Sequence, residues 1–218
     1  MRFVCRVVKV HRYPRAVTDI LLVRLLVLSL HRKGLRIHDH VSFAGLPIIT
    51  LAPDSRILIS EGCRLISRSQ TTALGVAHPI ILRTLRRGAE IQLGRGVRAS
   101  GLTVCAGRRV RIGDRCVIGS NTTITDTDFH SLDPVVRAGP QDATSAECRP
   151  VEIGADVFIG AGSYILKGVT IEAEAVIGAG SVVTRNVGRG MVVAGNPAIP
   201  RGTIELTKSR LTRVPFGS

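Results

Sequence analysis

Residues 126–134, "DTDFHSLDP", set one histidine among three aspartates. An imidazole titrates near pH 6.5 and is mostly unprotonated near neutral pH, so His130 is suited to taking up a proton. The stretch also interrupts a regular pattern, because aliphatic residues recur at every sixth position on either side of it. The role of His130 therefore depends on the elements that this pattern builds.

The repeat of six is strict over the second half of the chain. Its aliphatic positions are Ile112, Ile118 and Ile124, and then Ile153, Ile159, Ile165, Ile171, Ile177 and Val183. Neither a helix nor a simple strand has this period. Three sides of six residues close a triangular coil of eighteen, which predicts that Ile153 stacks on Ile171 and Ile159 on Ile177. The pattern is faint before residue 90, where only Leu51, Ile57 and Cys63 suggest it.

The main interruption, residues 125–152, contains three prolines and many polar residues, which predicts a loop extruded from a corner of the coil. A prism of stacked coils has flat faces and almost no concavity. We therefore expect function to come from this loop, which has His130 near its start, or from clefts between copies of the chain.

The composition limits the classes of partner and site. The net charge is +14 and is carried mostly by arginine, which indicates phosphate-rich partners: nucleic acid, an anionic membrane surface or phosphorylated small molecules. Nucleic acid is disfavoured because the basic residues are not interleaved with aromatic ones. The five cysteines, Cys5, Cys63, Cys105, Cys116 and Cys148, lack metal-like spacing and are interpreted as reduced thiols of a cytosolic protein.

Residues 16–30, "AVTDILLVRLLVLSL", predict an amphipathic helix. The stretch is too short and too charged for a confident membrane span, and no small-residue cleavage site follows it. Two roles remain open for this helix. It packs against the body of the protein or a sister subunit, or it lies on a membrane surface with its arginines on phosphates.

Three segments carry a resemblance to a known family: "IGDRCVIGSNTTITDTDFH" (112–130), "IGADVFIGAGSYILKGVTIEAEAVIGAGSVVTRNV" (153–187) and "VVAGNPAIPRG" (192–202). Residues 78–202 resemble the hexapeptide-repeat acyltransferases, and within them the bacterial sugar acetyltransferases of surface-polysaccharide synthesis and the maltose and galactoside O-acetyltransferases. The resemblance implies an all-β fold, a left-handed parallel β-helix with an N-terminal helical segment and an extruded loop. We expect a basic N-terminal segment over 1–45, the β-helix over 46–202 with its loop at 125–152, and a tail over 203–218.

The resemblance also implies a homotrimer with active sites between neighbouring coils, and transfer of an acetyl group from acetyl-CoA to a sugar hydroxyl. His130 would be the general base, and the Ala161 N–H would stabilise the oxyanion. One of Asp126, Asp128 and Asp133 would accept the other ring N–H and fix the histidine tautomer, and Asp128 is the aspartate chosen for a functional role. Substrate binding would fall to Asn121, Asp126 and Asp133. Binding of coenzyme A would fall to Gly160, Gly178, Ala179, Gly180, Thr184, Arg185 and Arg201.

Several alternatives stay open at this point. The three aspartates would otherwise bind the hydroxyls of the acceptor or solvate a turn, the glycines would serve corner geometry alone, and Arg185 and Arg201 would be solvated surface residues. The acceptor would otherwise be the amine of a nucleotide-linked amino sugar, or the chain would be a non-catalytic β-solenoid. A metal site of the carbonic anhydrase type needs three histidines, and the coil region has only His78 and His130, so no metal is expected. A cytoplasmic location is expected, with a peripheral position at the inner face of the membrane as the alternative.

Overall fold

The computed structural model describes the backbone of residues 16–207 and 210–212, and the side chains of residues 21–204. A first helix, α1 (Ala16–His31), precedes a long series of short strands. Two single-turn helices, α2 (Pro134–Arg137) and α3 (Asp142–Ser145), lie in the predicted loop, and a 3₁₀ turn covers Ser69–Thr71. Cys5, the basic residues before Ala16 and the end of the expected tail lie outside the described residues.

Strands β1 to β18, numbered in chain order, form three parallel sheets because each pairs with the strand three places along the chain, and β19 and β20 extend the second sheet. The first sheet contains β1 (Leu35–Ile37), β4 (Arg56–Ile59), β7 (Glu90–Leu93), β10 (Arg109–Ile112), β13 (Val151–Ile153) and β16 (Thr170–Ile171). The second contains β2 (Ser42–Ala44), β5 (Arg64–Ile66), β8 (Arg98–Ser100), β11 (Val117–Ile118), β14 (Phe158–Ile159), β17 (Val176–Ile177), β19 (Met191–Ala194) and β20 (Ile199–Thr203). The third contains β3 (Ile48–Thr50), β6 (Ile81–Thr84), β9 (Thr103–Ala106), β12 (Thr123–Thr125), β15 (Tyr164–Ile165) and β18 (Val182–Val183). A separate antiparallel pair follows, β21 (Glu205–Thr207) and β22 (Arg210–Thr212).

The aliphatic positions of the repeat stack in register inside the three-sided coil. Ile153 pairs with Ile171 and Ile159 pairs with Ile177, which confirms the predicted stacking. These side chains are buried in one continuous apolar core that runs the length of the coil. Since each coil covers the aliphatic residues of the next, the core is built by neighbouring coils together.

The coils begin earlier in the chain than the sequence pattern shows. Leu35 already stacks on Ile57, so the coil region begins before the expected boundary at residue 46. The early repeat is hard to read because residues 67–80 leave the coil between β5 and β6. This excursion breaks the spacing of six without breaking the stack, since β3 still pairs with β6 in register.

Glycine follows the aliphatic residue at several corners because the coils approach each other closely there. A Cβ added to Gly119 would lie 2.4 Å from the Ala161 nitrogen, and one added to Gly160 would lie 2.4 Å from the Ala179 nitrogen. No side chain can approach backbone atoms at that distance. These glycines are therefore required by coil stacking.

The extruded loop leaves the coil without shifting its register. β10 pairs with β13, with Ile112 opposite Ile153, although the whole loop lies between the two strands in sequence. At the far end, β20 pairs antiparallel with β19, so the chain reverses direction at residues 195–198, the "GNPA" segment.

The helix predicted over residues 16–30 is present as α1, but the prediction that it is amphipathic is wrong. Val23 is buried, and Leu26, Val27 and Leu30 pack against the core. Leu25 and Leu28 on the other side of the helix are exposed, so both faces of the helix are apolar. None of the helices in the described part of the chain combines the length and the apolarity needed to cross a bilayer.

Candidate active site

The loop is anchored to the coil through Asp126. This carboxylate is fully buried and accepts hydrogen bonds from the backbone nitrogens of Gly107, Arg108 and Arg109 at 2.6, 2.7 and 2.6 Å. A buried carboxylate with three backbone donors has its hydrogen-bonding capacity committed to the fold. The expectation that Asp126 binds substrate is therefore wrong, because it fixes the base of the loop.

The two strands of the loop base are held together by one lysine. Thr127 and Cys148 form an antiparallel bridge, and the Asp128 nitrogen donates to the Glu147 carbonyl. The ammonium of Lys167 lies 3.0 Å from the Asp128 carboxylate and 3.3 Å from that of Glu147. Hydrogen bonding to Asp128 and then Glu147 raises the pKa of Lys167. Lys167, on the next coil, therefore ties the outgoing and returning chains together.

His130 follows Phe129, whose backbone adopts the left-handed conformation at φ 64°. The side chain of His130 is 67% exposed, and its Nδ1 lies 2.5 Å from Oδ2 of Asp142 on α3. The other Asp142 oxygen accepts from the Ser131 nitrogen at 2.7 Å. The partner of His130 is therefore Asp142 and none of the three aspartates of residues 126–134, and Lys167 engages the carboxylate of Asp128, the one chosen for a functional role.

The hydrogen bond to Asp142 defines the tautomer of His130. The bonds from His130 and the Ser131 nitrogen lower the pKa of Asp142, so this carboxylate is ionised near neutral pH and can only accept. The Nδ1 atom of a neutral imidazole in this contact must carry the hydrogen. Nε2 then presents its lone pair and can accept a proton from a substrate.

The helix that carries Asp142 is itself attached to the coil. Nη2 of Arg86, just after β6, lies 2.6 Å from the carbonyl oxygens of both Ala143 and Ala146. These carbonyls lie at the C-terminal end of α3, where a cation satisfies unpaired acceptors. A continuous set of contacts therefore runs from the coil through Arg86, α3 and Asp142 to His130.

Asp133 has a local structural role. Its Oδ1 accepts from the nitrogens of Val135 and Val136 at 2.8 and 3.4 Å, which makes it the N-cap of α2. Asp133 therefore caps α2 through Oδ1, and its expected contact with substrate stays a prediction.

Asn121 and Ala161 lie at corners of the coils on either side of the loop in sequence. Oδ1 of Asn121 accepts from the Ala77 nitrogen at 2.8 Å, so Asn121 holds the excursion of residues 67–80 against the coil and keeps its amide nitrogen as a donor. The Ala161 N–H has no acceptor among the described residues. The N–H of Ala179, at the equivalent corner one coil further on, also has no acceptor among the described residues. An unpaired N–H at this corner therefore recurs with the repeat.

The residues expected to bind coenzyme A divide into two groups. Gly160 and Gly178 face the next coil, where a Cβ would meet Ala179 and Ala194, so coil stacking accounts for both. The other five, which are exposed on the surface of the last coils, are Ala179, Gly180, Thr184, Arg185 and Arg201. Within the described residues no carboxylate lies within 4.0 Å of either arginine, so both guanidinium groups are available for phosphate.

Neither thiol chemistry nor a metal site is supported by the described residues. Burial raises the pKa of Cys63 and of Cys116 to about 11, and it also raises the pKa of Cys105, which makes these thiols poor nucleophiles. Cys63, Cys105, Cys116 and Cys148 are free thiols, as expected. No group of three potential metal ligands occurs in the part of the chain that the structure describes.

Comparison with known proteins defines the class. Residues 109–125 and 150–185 match the family model described as the hexapeptide repeat of succinyl-transferase. These two segments of the chain therefore carry the hexapeptide repeat, and the predicted fold class, a left-handed parallel β-helix with an N-terminal helix and an extruded loop, is confirmed.

Three similar proteins follow, and two of them are named as acetyltransferases. Nodulation protein L of Rhizobium meliloti is 52% identical over 95 residues, which are 43% of this chain and 49% of that protein. Galactoside O-acetyltransferase of Escherichia coli is 36% identical over 111 residues, 50% of this chain and 52% of that protein. A solved galactoside acetyltransferase in complex with coenzyme A is 29% identical with a TM-score of 0.51, over 64% of this chain and 69% of that one. The chain thus spans about half the length of the curated relatives it matches.

Proposed function

We propose that the chain transfers an acetyl group from acetyl-CoA to a sugar hydroxyl in surface-polysaccharide biosynthesis. The observation that carries the proposal is the exposed His130 with its Nδ1–H held by Asp142. The names of the similar proteins supply the reaction class, since one is a galactoside O-acetyltransferase and one solved relative holds coenzyme A.

In the proposed reaction, Nε2 of His130 accepts the proton of the sugar hydroxyl while the hydroxyl oxygen attacks the thioester carbonyl carbon. A tetrahedral intermediate forms, and its oxyanion would accept a hydrogen bond from the Ala161 N–H. The carbon–sulfur bond then breaks. The sulfur of coenzyme A leaves with the proton held by the imidazolium, so the products are the acetylated sugar and free coenzyme A.

The remaining contacts are proposed from exposure and charge. The arm of coenzyme A would lie along the corners at Ala179 and Gly180, with Thr184, Arg185 and Arg201 at its phosphates. The amide nitrogen of Asn121 would donate to the acceptor sugar. Because one coil offers only flat faces, we propose that the site is completed in the cleft between two subunits of a homotrimer, located in the cytoplasm.

The test is turnover of acetyl-CoA with a panel of sugar acceptors, with the mass of each product measured. We expect His130→Ala to lower kcat by ~10²–10⁴ because the general base is lost. His78→Ala is the matched control and should retain activity, since among the described residues the His78 side chain bonds only to the neighbouring Pro79 carbonyl, at 2.9 Å from Nδ1.

Three results would contradict the proposal. Full activity of His130→Ala would show that His130 is not the general base. Acetylation of amino sugars alone would make the chain an N-acetyltransferase, and failure to bind acetyl-CoA would make it a non-catalytic β-solenoid.

A further inference from the structure

The helix α1 lies across the N-terminal end of the coil. Its inner side contacts β1 and β2 and covers the end of the apolar core, where Val23 is 2% exposed. Leu26, Val27 and Leu30 pack on the same core. The inner side of the helix thus closes the first coil, which has no neighbouring coil before it to bury its aliphatic residues.

The outer side of the helix is also apolar. We call its exposed leucines the outer stripe: Leu21, Leu22, Leu25 and Leu28, the last of them 70% exposed. Leu21, Leu25 and Leu28 follow the i, i+4, i+7 spacing of one helix face. Four exposed leucines on one helix form an apolar patch of the kind that normally has apolar material against it, so the outer stripe needs an occupant.

The charges around the outer stripe indicate what that occupant is. Arg24, Arg32 and Lys33 are exposed in or just after the helix. In the sequence, the fifteen residues before α1 carry five basic residues and no acidic one: Arg2, Arg6, Lys9, Arg12 and Arg15. Basic residues beside exposed leucines complement an anionic lipid surface, which offers phosphates to the cations and acyl chains to the leucines.

We propose that the outer stripe docks the protein on the surface of an anionic lipid bilayer, with the helix axis parallel to that surface. The helix has 16 residues and would extend only about 24 Å, less than the ~30 Å of a hydrocarbon core, so it lies on the membrane and does not span it. The proposal does not depend on the acetyltransferase reaction.

The full chain would be sedimented with vesicles of phosphatidylcholine alone and of phosphatidylcholine with about one-third phosphatidylserine. We expect binding to the anionic vesicles that weakens as salt rises. The double variant Leu25→Gln, Leu28→Gln should bind about 100-fold less tightly, because two leucines no longer enter the acyl region. Glutamine is a good helix former, so α1 should be kept. The matched control is Leu74→Gln, at an exposed leucine on the 67–80 excursion.

A fluorescence measurement reports insertion directly. The chain contains no tryptophan, so Leu28→Trp introduces a single indole on the outer stripe and Leu74→Trp places one elsewhere. We expect the emission of Leu28→Trp to shift to the blue with anionic vesicles and that of Leu74→Trp to stay unchanged. This readout does not depend on any loss of folding.

Three outcomes would overturn the proposal. The wild-type chain does not bind anionic vesicles, or the double variant binds them as tightly as the wild type. In the third, the Leu28→Trp emission is already blue-shifted without lipid, which would show that the residues before α1 or a second copy of the chain cover the stripe.

Discussion

His130 and Asp142 lie twelve positions apart in sequence, and they meet because the loop folds back on itself through two single-turn helices. The loop encloses little apolar surface, so its shape depends on polar contacts. Arg86 holds α3 to the coil, and Lys167 closes the loop base. The position of the imidazole is thus set by residues of the coil as well as by residues of the loop.

The first residue-scale prediction concerns the role of Asp142 as a positioning residue. Asp142→Asn should lower kcat by about 10- to 100-fold, because an amide can present its NH2 group to Nδ1 and favour the wrong tautomer. The KM for acetyl-CoA should not change, since Asp142 touches only the loop. Steady-state kinetics with both substrates would check this. Asp142→Glu should recover part of the lost kcat, and equal losses in both variants would contradict the role.

The second residue-scale prediction concerns pH. The pKa of Asp142 lies below its value in the unfolded chain, near 3.9, because the folded carboxylate accepts bonds from His130 and Ser131. A lowered pKa gives stability that is present above the unfolded pKa and is lost as the pH falls through the folded pKa. The melting temperature of the wild type should therefore exceed that of Asp142→Asn near pH 6, and the difference should begin to shrink below about pH 4 and disappear only below the folded pKa of Asp142.

The control for this pH series is Asp39→Asn, at an exposed aspartate whose side chain makes no hydrogen bond or ion pair with the described residues. It should leave the melting temperature close to that of the wild type at each pH. A difference between the wild type and Asp142→Asn that stays constant across the series would show that the charge of Asp142 does not matter.

At the scale of elements, the corners of the coil contain two physically different kinds of glycine. Gly160 has no room for a side chain because the backbone of the next coil is too close. Gly162 has open space around its Cβ position but a left-handed backbone, at φ 69°. The first kind is required by packing and the second by backbone conformation.

This difference gives an element-scale prediction. Gly160→Ala should lower the free energy of unfolding by about 3 kcal/mol, because the backbone of two coils must move apart. Gly162→Ala should cost only about 1 kcal/mol, the strain of a left-handed alanine. Denaturant unfolding of both variants would measure the two losses. Equal losses would show that close stacking is not what selects glycine at residue 160.

The elements also show what the sequence could and could not predict. The stack from Ile112 onwards followed from spacing alone, because each side of the coil uses the same six positions. The partner of His130 could not be predicted in this way, because Asp142 lies in a loop without periodicity. The contact between Asp142 and His130 depends on how α3 packs. Asp126 looked like a surface residue beside a catalytic histidine, and only the fold shows the three backbone nitrogens that bury it.

At the scale of the whole molecule, the faces of the prism differ in character. On the first sheet the outward row is polar, with Arg111, Glu152 and Thr170 in register. On the second sheet the outward row is polar in the early coils, at Ser42, Arg64 and Arg98, and becomes apolar in the later coils, at Val117, Phe158, Val176 and Val192. Phe158 is 46% exposed there, so this face is the better candidate for contact between subunits of the proposed homotrimer.

The whole-molecule prediction is a change of oligomeric state. Phe158→Arg should convert the proposed trimer to monomers and lower activity with it, because a charge is buried in an apolar contact and the clefts between subunits are lost. Sedimentation equilibrium would measure the mass. Thr170→Arg, on the polar face, is the matched control and should leave the mass unchanged. If Phe158→Arg is still a trimer, the subunits contact each other through another face of the prism.

The in-register pairing of β10 with β13 shows that the coil keeps its strand pairing with the loop inserted between β12 and β13. The backbone hydrogen bonds between β10 and β13, and the stacking of Ile112 on Ile153, are formed although the loop lies between these strands in sequence. Changes in the length or composition of the loop can therefore be accommodated by the coil where the contacts of Lys167 and Arg86 to the loop are kept. Chimaeras that exchange residues 129–141 for the corresponding segment of a relative should therefore fold.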